Sequence, residues 1–141
     1  MEKLNEYRKK LGLPGIQNPN LGFWAPTAGK VRDGLYRMYY SIIIFDPIDA
    51  NNNKSSTERA FIGLMETSDP ASNVWEDKGF VITSSSNRGK NWTWEENQWE
   101  ETYFKFNAID PSFFIDNDGK HWLIYGSWHS GIAAVELDAE T

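Results

Sequence analysis

Apolar residues recur along the chain in short runs of strand length, separated by turn signals and polar loops. The run at 34–45 (GLYRMYYSIIIF) is dense in Tyr and Ile and follows Asp33, which forms a hairpin turn signal with Gly34. That run predicts a buried strand, with 28–32 as its partner. The same reasoning predicts strands at 59–67, 74–84, 109–115, 121–126 and 131–137. The pattern therefore indicates an all-β protein.

The N-terminal residues follow a different pattern. Leu4, Tyr7 and Leu11 recur at helical spacing among charged residues, which predicts a short amphipathic helix that Gly12 ends. Residues 14–26 contain three prolines and two glycines. Because these two residue types interrupt regular structure, an ordered loop is predicted there.

Two polar stretches lie between the predicted strands. Residues 46–57 show no periodicity and predict a loop, and 87–103 predict a long acidic loop that carries Trp92, Trp94 and Trp99. Long structured loops often hold binding groups. The three tryptophans therefore either wall a substrate cleft or belong to a solvated surface with one or two buried rings.

The order of features occurs twice along the chain. In each unit a proline motif leads to a strand, an Asp-Gly turn, a second strand, a loop and a third strand; the turns lie at 33–34 and 118–119. Tandem four-stranded antiparallel units are typical of a β-propeller. The predicted segments are an N-terminal helix and loop (1–21), a first blade (22–86), an acidic Trp-rich loop (87–106) and a partial second blade (107–141).

Fewer than two blades cannot close a ring, so we expect the chain to be a fragment of a larger propeller. The uncovered strand edges and apolar faces of such a fragment predict self-association or pairing with a companion fragment.

Composition narrows the function classes. Asp and Glu number 20 against 14 Lys and Arg, a net charge of -6, which disfavours nucleic acid as a partner because phosphates would be repelled. No apolar stretch approaches the roughly 20 residues that a membrane-spanning helix requires, and the N-terminal segment lacks the apolar core of a signal peptide. Aromatic residues make up 15%, which suits both sheet cores and the flat faces of sugar rings.

Five motifs together resemble glycoside hydrolase family 43. They are WAP at 24–26, YYS at 39–41, IGL at 62–64, NAIDP at 107–111 and YGSWHSGI at 125–132. The NAIDP and YGS-x-x-SGI pair is most similar to the endo-1,5-α-L-arabinanases of that family. The resemblance implies a five-bladed propeller, inverting hydrolysis of arabinan or arabino-oligosaccharides, and a secreted or periplasmic parent enzyme.

The resemblance also implies three carboxylates in a central cavity, of which Asp110 matches the one that modulates the pKa of the general acid. Its alternative role is that of a turn residue before Pro111. The family's general base lies in a His-Asp-Pro motif upstream of WAP, and its general acid lies beyond NAIDP; neither is matched in this chain, since Asp46-Pro47 is only a superficial likeness. One carboxylate cannot act as acid and base at once. We therefore expect the chain by itself to be inactive.

Four further residues fall at the glycan cleft by the same resemblance: Trp24, Asn107, Ser127 and Trp128. Trp24 is either a stacking surface for a sugar or a core aromatic. Asn107 and Ser127 either bond sugar hydroxyls or satisfy loop backbone groups. Trp128 and His129 stand where the family carries Phe-Trp, so the glycan subsites are expected to differ.

No cofactor is expected in this chain, and calcium in the channel of the whole enzyme is left open. Asp116-x-Asp118-Gly119 lacks the closing Glu of an EF-hand, and His121 is expected to be a surface or packing residue. Two alternative functions remain. One is an α-L-arabinofuranosidase or β-xylosidase on the same scaffold, and the other is a noncatalytic carbohydrate-binding module.

Overall fold

The computed structural model describes residues 21–44, 60–83, 106–127 and 131–139, together with Glu2, Asn5, Glu6 and Lys9. In these ranges the chain forms β1 (Leu21–Arg32), β2 (Leu35–Ile44), β3 (Ala60–Thr67), β4 (Glu76–Thr83), β5 (Ser112–Ile115), β6 (His121–Ser127) and β7 (Gly131–Leu137). A short 3-10 helix, Pro70–Ser72, joins β3 to β4. No helix within the described ranges is long and apolar enough to cross a lipid bilayer.

The strands form two antiparallel sheets, one in the order β1-β2-β3-β4 and one in the order β5-β6-β7. This confirms the all-β class. Gly34 (φ 69°) and Gly119 (φ 79°) lie in the turns that open β2 and precede β6, and their positive φ values explain why each turn needs glycine. The predicted N-terminal helix, the division into segments and the count of five blades stay predictions.

The start of β1 corrects one prediction. The prolines and glycines of 14–26 predict a loop, but residues 21–24 pair with 44–41 of β2. A bulge between Trp24 and Thr27 takes up Ala25 and Pro26, and Ala25 adopts a φ of 37°. Because a bulge leaves a residue outside the hydrogen-bond ladder, Pro26 lies within the strand without losing a bond that it cannot donate.

One face of the first sheet packs against the second sheet. Alternate residues of β2 point to this face, and all of them are buried: Arg37, Tyr39, Ser41 and Ile43. The Tyr39 ring meets that of Phe113 at 5.2 Å between centroids. Around this contact lies the shared core of Ile62, Leu64, Ile82, Ala108, Leu123 and Tyr125. We call this surface the inter-sheet interface; consecutive meanders packed in this way are the arrangement of neighbouring propeller blades.

The opposite face of the first sheet is more open. Ile42 and Phe61 are buried there, with Tyr40 and Phe80 packed against them. Phe23, by contrast, is 68% exposed. This face is apolar enough to pack against a further layer, which is what an internal propeller blade requires on both sides.

Candidate active site

The segment that precedes β5 exposes one carboxylate from an otherwise buried turn. Ala108 and Ile109 are 0% and 3% exposed, and the Ile109 carbonyl accepts a hydrogen bond of 2.9 Å from the Gly126 N–H. Asp110 follows as an exposed residue with a φ of 52°, in the left-handed region that residues other than glycine seldom adopt. Its buried neighbours therefore anchor the backbone, and the carboxylate faces outward.

Ser41 of β2 holds Asp110 from the neighbouring sheet. The Asp110 N–H donates a hydrogen bond of 3.0 Å to the Ser41 Oγ, and Ser41 is fully buried. The sequence pattern predicts no separate role for Ser41. One feature of the sequence could have pointed to Ser41. It is a hydroxyl within a run of apolar residues predicted to be buried, and a buried hydroxyl needs a hydrogen-bond partner.

Trp24 lies beside this contact. It pairs directly with Ser41 across β1 and β2 and is 40% exposed. Residues directly opposite each other in an antiparallel pair share a face of the sheet. Trp24 and Ser41 are therefore on the face that receives Asp110, so the fold brings the WAP, YYS and NAIDP motifs to one end of the inter-sheet interface.

The other predicted glycan residues are placed less uniformly. Ser127 is the last residue of β6, at the same end as Asp110. Asn107 is 2% exposed, and its Nδ2 has no hydrogen-bond partner in the part of the chain that the structure describes. Trp128 lies outside the described residues. We call the group of Trp24, Ser41, Asp110 and Ser127 the Asp110 end; the glycan-binding roles of its members stay predictions.

The close approach of β6 and β7 at Gly126 has a geometric cause. Gly126 adopts a φ of 115°, and a Cβ at this position would overlap the carbonyl oxygen of Gly131. Only glycine allows β7 to approach β6 this closely. The same residue supplies the N–H that binds the Ile109 carbonyl, so the YGS motif supports the Asp110 backbone.

Asp116 has a structural role at the opposite end of the second sheet. Its carboxylate accepts hydrogen bonds from the Trp122 Nε1 at 2.8 Å and from the backbone N–H groups of Lys120 and Asp118 at 2.9 Å each. The Trp122 bond above all lowers the pKa of Asp116. In the described ranges no group of three or more His, Asp or Glu side chains is arranged to hold a metal ion.

His121 is a packing residue, one of the two roles expected for it. It is 6% exposed, and its ring meets that of Phe113 edge to face at 5.8 Å. Tyr39, on the same interface, has its pKa raised by burial, partly offset by the nearby Arg37 guanidinium. Both rings therefore pack against Phe113 between the two sheets.

The comparisons with known proteins agree with the motifs. The chain is 34% identical over 125 residues to an extracellular endo-α-(1→5)-L-arabinanase of Bacillus subtilis, and 31% identical over 117 residues to an extracellular exo-α-(1→5)-L-arabinofuranosidase of Cellvibrio japonicus. These alignments cover 87% and 82% of this chain. A solved structure of a native Bacillus subtilis arabinanase matches 86% of this chain with a TM-score of 0.59 and 30% identity.

The matched part is a minor share of each similar protein. The chain spans 30% and 27% of the two relatives and 33% of the solved structure. Within this chain, however, the family model for glycosyl hydrolases family 43 matches residues 5–141. The resemblance predicted from the five motifs is thereby confirmed, including its likeness to the endo-1,5-α-L-arabinanases. The chain belongs to the glycosyl hydrolases of family 43.

Proposed function

We propose that this chain is the part of an inverting, arabinan-degrading hydrolase that supplies the pKa-modulating carboxylate, Asp110. The observation that supports this most strongly is that an exposed carboxylate sits on a backbone clamped from both sheets, by the Ser41 Oγ and through the bond between Ile109 and Gly126. The effect of a charge on the pKa of a neighbouring group depends on the distance between them, so the charged side chain must be held in a fixed position. The two hydrogen bonds fix the backbone at Asp110 in this way.

The proposed chemistry of Asp110 is electrostatic. A negative charge beside a carboxylic acid raises the pKa of that acid and keeps it protonated near neutral pH. Inversion also requires a general base about 6.5–9.5 Å from the acid, with the attacking water between them. In this proposal both of those carboxyl groups come from other parts of the whole enzyme.

The proposed substrate is an α-1,5-linked arabinan, because arabinanase names recur among the relatives. Trp24 is half exposed beside Asp110 and offers a ring for stacking against a sugar face. The Asn107 Nδ2 is a buried donor without a partner among the described residues, which supports a glycan hydroxyl as its acceptor. Ser127 and Trp128 complete the proposed contacts. The extracellular names of the relatives support a secreted parent enzyme.

A second candidate is exo-acting hydrolysis, which is favoured by the Cellvibrio japonicus relative with its exo-arabinofuranosidase name. Arabinan digestion by the whole enzyme separates the two modes, because endo action releases a range of oligosaccharides and exo action releases one small product from chain ends. A mixed ladder early in the digest supports the endo-acting proposal.

Incubation of the purified 141-residue chain with arabinan tests whether the chain acts alone. We expect no release of reducing ends above background, because the proposal places the general acid and the general base in other parts of the whole enzyme. Turnover that Asp110→Asn abolishes would overturn this. Titration with arabino-oligosaccharides in the same preparation tests the binding-module alternative, since a module binds unaided and part of a cleft binds weakly.

The exposed apolar side chains also support association of the chain. Phe23 (68% exposed) lies on the first sheet, and Phe114 (41%) and Ile132 (70%) lie on the second. We propose that a second copy or a companion fragment covers these surfaces. Light scattering at increasing concentration should show dimers or larger species, and a monodisperse monomer would contradict the proposal.

A further inference from the structure

A second cleft lies between the sheets, away from Asp110. It is a cavity of about 620 Å³, and its walls include Arg32, Arg37, Glu66 and His121. Arg37 and Ser41 are on the same face of β2 and four residues apart, which is roughly 13 Å along the strand. His121 begins β6, whereas Ser127 ends it. The cavity is therefore at the opposite end of the inter-sheet interface, which we call the Arg37 end.

Among the residues that the structure describes, two buried nitrogen atoms at this end have no hydrogen-bond partner. They are the Arg37 Nη1 and the His121 Nδ1, on side chains whose residues are 2% and 6% exposed. Buried polar atoms of folded proteins nearly always have a partner, because the hydrogen bonds lost to water are otherwise not replaced. Since both residues line the same cavity, one ligand placed there can satisfy both nitrogens.

The charges at the cavity favour an anion. The Arg37 Nε donates to the Glu66 Oε1 at 2.8 Å, and the Lys78 Nζ lies 3.8 Å from the Glu66 Oε2. Lys78 also lies 3.2 Å from the Glu76 Oε1 and is shared between two carboxylates, so the buried Arg37 is the main counter-charge of Glu66. Arg32 adds a further positive charge to the cavity wall. A locally cationic cleft in a chain of net charge -6 selects for a negative ligand.

We propose that the Arg37 end binds a small oxyanion, a carboxylate or a phosphate, through hydrogen bonds from the Arg37 Nη1 and the His121 Nδ1. Guanidinium N–H groups match the oxygen spacing of both anions. An imidazole N–H is a hydrogen-bond donor, and an anion at Nδ1 holds a hydrogen on that atom. Because Arg37 belongs to the first sheet and His121 to the second, the anion bridges the two sheets.

Titration of the purified chain with sodium phosphate, sodium acetate and sodium chloride at matched ionic strength tests the proposal. A bridging anion should raise the melting temperature saturably, and it should shift the NMR signals of the Arg37 Nε–H and of the His121 ring nitrogens. The anion that saturates at the lower concentration identifies the ligand class. The proposal is overturned if neither anion saturates, or if chloride has the same effect.

Variants assign the effect to the proposed donors. His121→Leu should weaken binding at least tenfold, whereas Lys120→Gln, which removes the neighbouring exposed cation, should leave the dissociation constant unchanged. Arg37→Gln leaves Glu66 without its guanidinium partner and is therefore paired with Glu66→Gln, so that no charge is stranded; this double variant should also abolish saturable binding. Unchanged binding in either His121→Leu or the double variant contradicts the assignment.

Discussion

The two ends of the inter-sheet interface offer opposite chemistry on the same pair of sheets. At the Asp110 end, the exposed groups are a carboxylate and an indole ring, and the buried Asn107 contributes a neutral amide donor. At the Arg37 end, a guanidinium and an imidazole face a cavity. The first set suits the hydroxyls and flat faces of a sugar, and the second suits an oxyanion.

The backbone differs between the ends as well. At the Asp110 end, the left-handed Asp110 donates its N–H to Ser41 of the first sheet, and the preceding Ile109 carbonyl accepts from Gly126 of the second. The Arg37 end keeps ordinary strand geometry on β2 and β6. Strained backbone is kept where a side chain must point in a direction that regular structure does not provide. The main feature of the Asp110 end is therefore a backbone turn. The main feature of the Arg37 end is a pair of buried side-chain donors without a partner among the described residues.

A cavity in the core that the two sheets share should destabilise both ends of the inter-sheet interface. Leu123 is fully buried in the core between them, so Leu123→Ala should lower the free energy of unfolding by about 2–5 kcal/mol, through lost burial and a cavity. Urea denaturation measures the loss. Val74→Ala, at a residue 72% exposed, is the control and should change stability by less than about 0.5 kcal/mol. Equal effects would show that the two sheets do not share a core.

Loss of the Ser41 hydroxyl should loosen the Asp110 end alone. Ser41→Ala removes the acceptor of the Asp110 N–H, and the expected cost is about 1 kcal/mol in the free energy of unfolding. Hydrogen exchange at the Asp110 amide should become faster, whereas the Trp122 indole at the other end should be unaffected. The exposed Ser112→Ala is the matched control. Unchanged Asp110 exchange in Ser41→Ala would mean that the clamp is not formed.

Relief of the left-handed backbone should stabilise the chain. Glycine adopts a φ of 52° without a steric penalty, so Asp110→Gly should raise the free energy of unfolding by about 0.5–1 kcal/mol. The gain would indicate that the carboxylate is kept despite its structural cost. A loss of stability in Asp110→Gly would instead assign Asp110 to the structural role of a turn residue.

Low pH should destabilise the turn at Asp116, near the Arg37 end, before it destabilises the Asp110 end. The pKa of Asp116 is lowered from 3.8, mainly by the Trp122 indole N–H. The folded state therefore binds this proton less tightly than the unfolded state does, so the stabilisation is present above pH 3.8 and is lost as the pH falls through the lowered pKa. Exchange of the Trp122 indole should become faster over that window, before that of the Asp110 amide. Asp116→Asn should remove this pH dependence of Trp122 exchange. An exchange profile in Asp116→Asn identical to that of the unsubstituted chain would contradict the prediction.

The strands were predictable because their signals are local. Asp33-Gly34 and Asp118-Gly119 mark turns between apolar runs, and apart from the start of β1 the observed strands lie within a few residues of the predicted ones. The start of β1 was not predictable, since Pro26 indicates a break and only a bulge accommodates it. The family motifs identified Asp110.

The supporting contacts could not be read from the sequence. Ser41 meets Asp110 across 69 residues, and Arg37 meets Glu66 across 29. No periodicity encodes contacts of that separation, because they depend on how the sheets pack. The Arg37 end was not predictable for the same reason. The sequence predicts only a surface or packing role for His121, whereas the fold buries its Nδ1 without a partner among the described residues.

The role of Asp110 is tested most directly in a complete relative. This chain replaces the matching segment of the Bacillus subtilis endo-arabinanase, and arabinan hydrolysis is followed against pH for the chimera and for its Asp110→Asn and Asp118→Asn variants. The account predicts that Asp110→Asn lowers kcat by about 100-fold or more and moves the alkaline limb to lower pH, because the general acid loses the charge that raised its pKa. Asp118→Asn should change neither. Equal rates and pH profiles in the two variants would contradict the account.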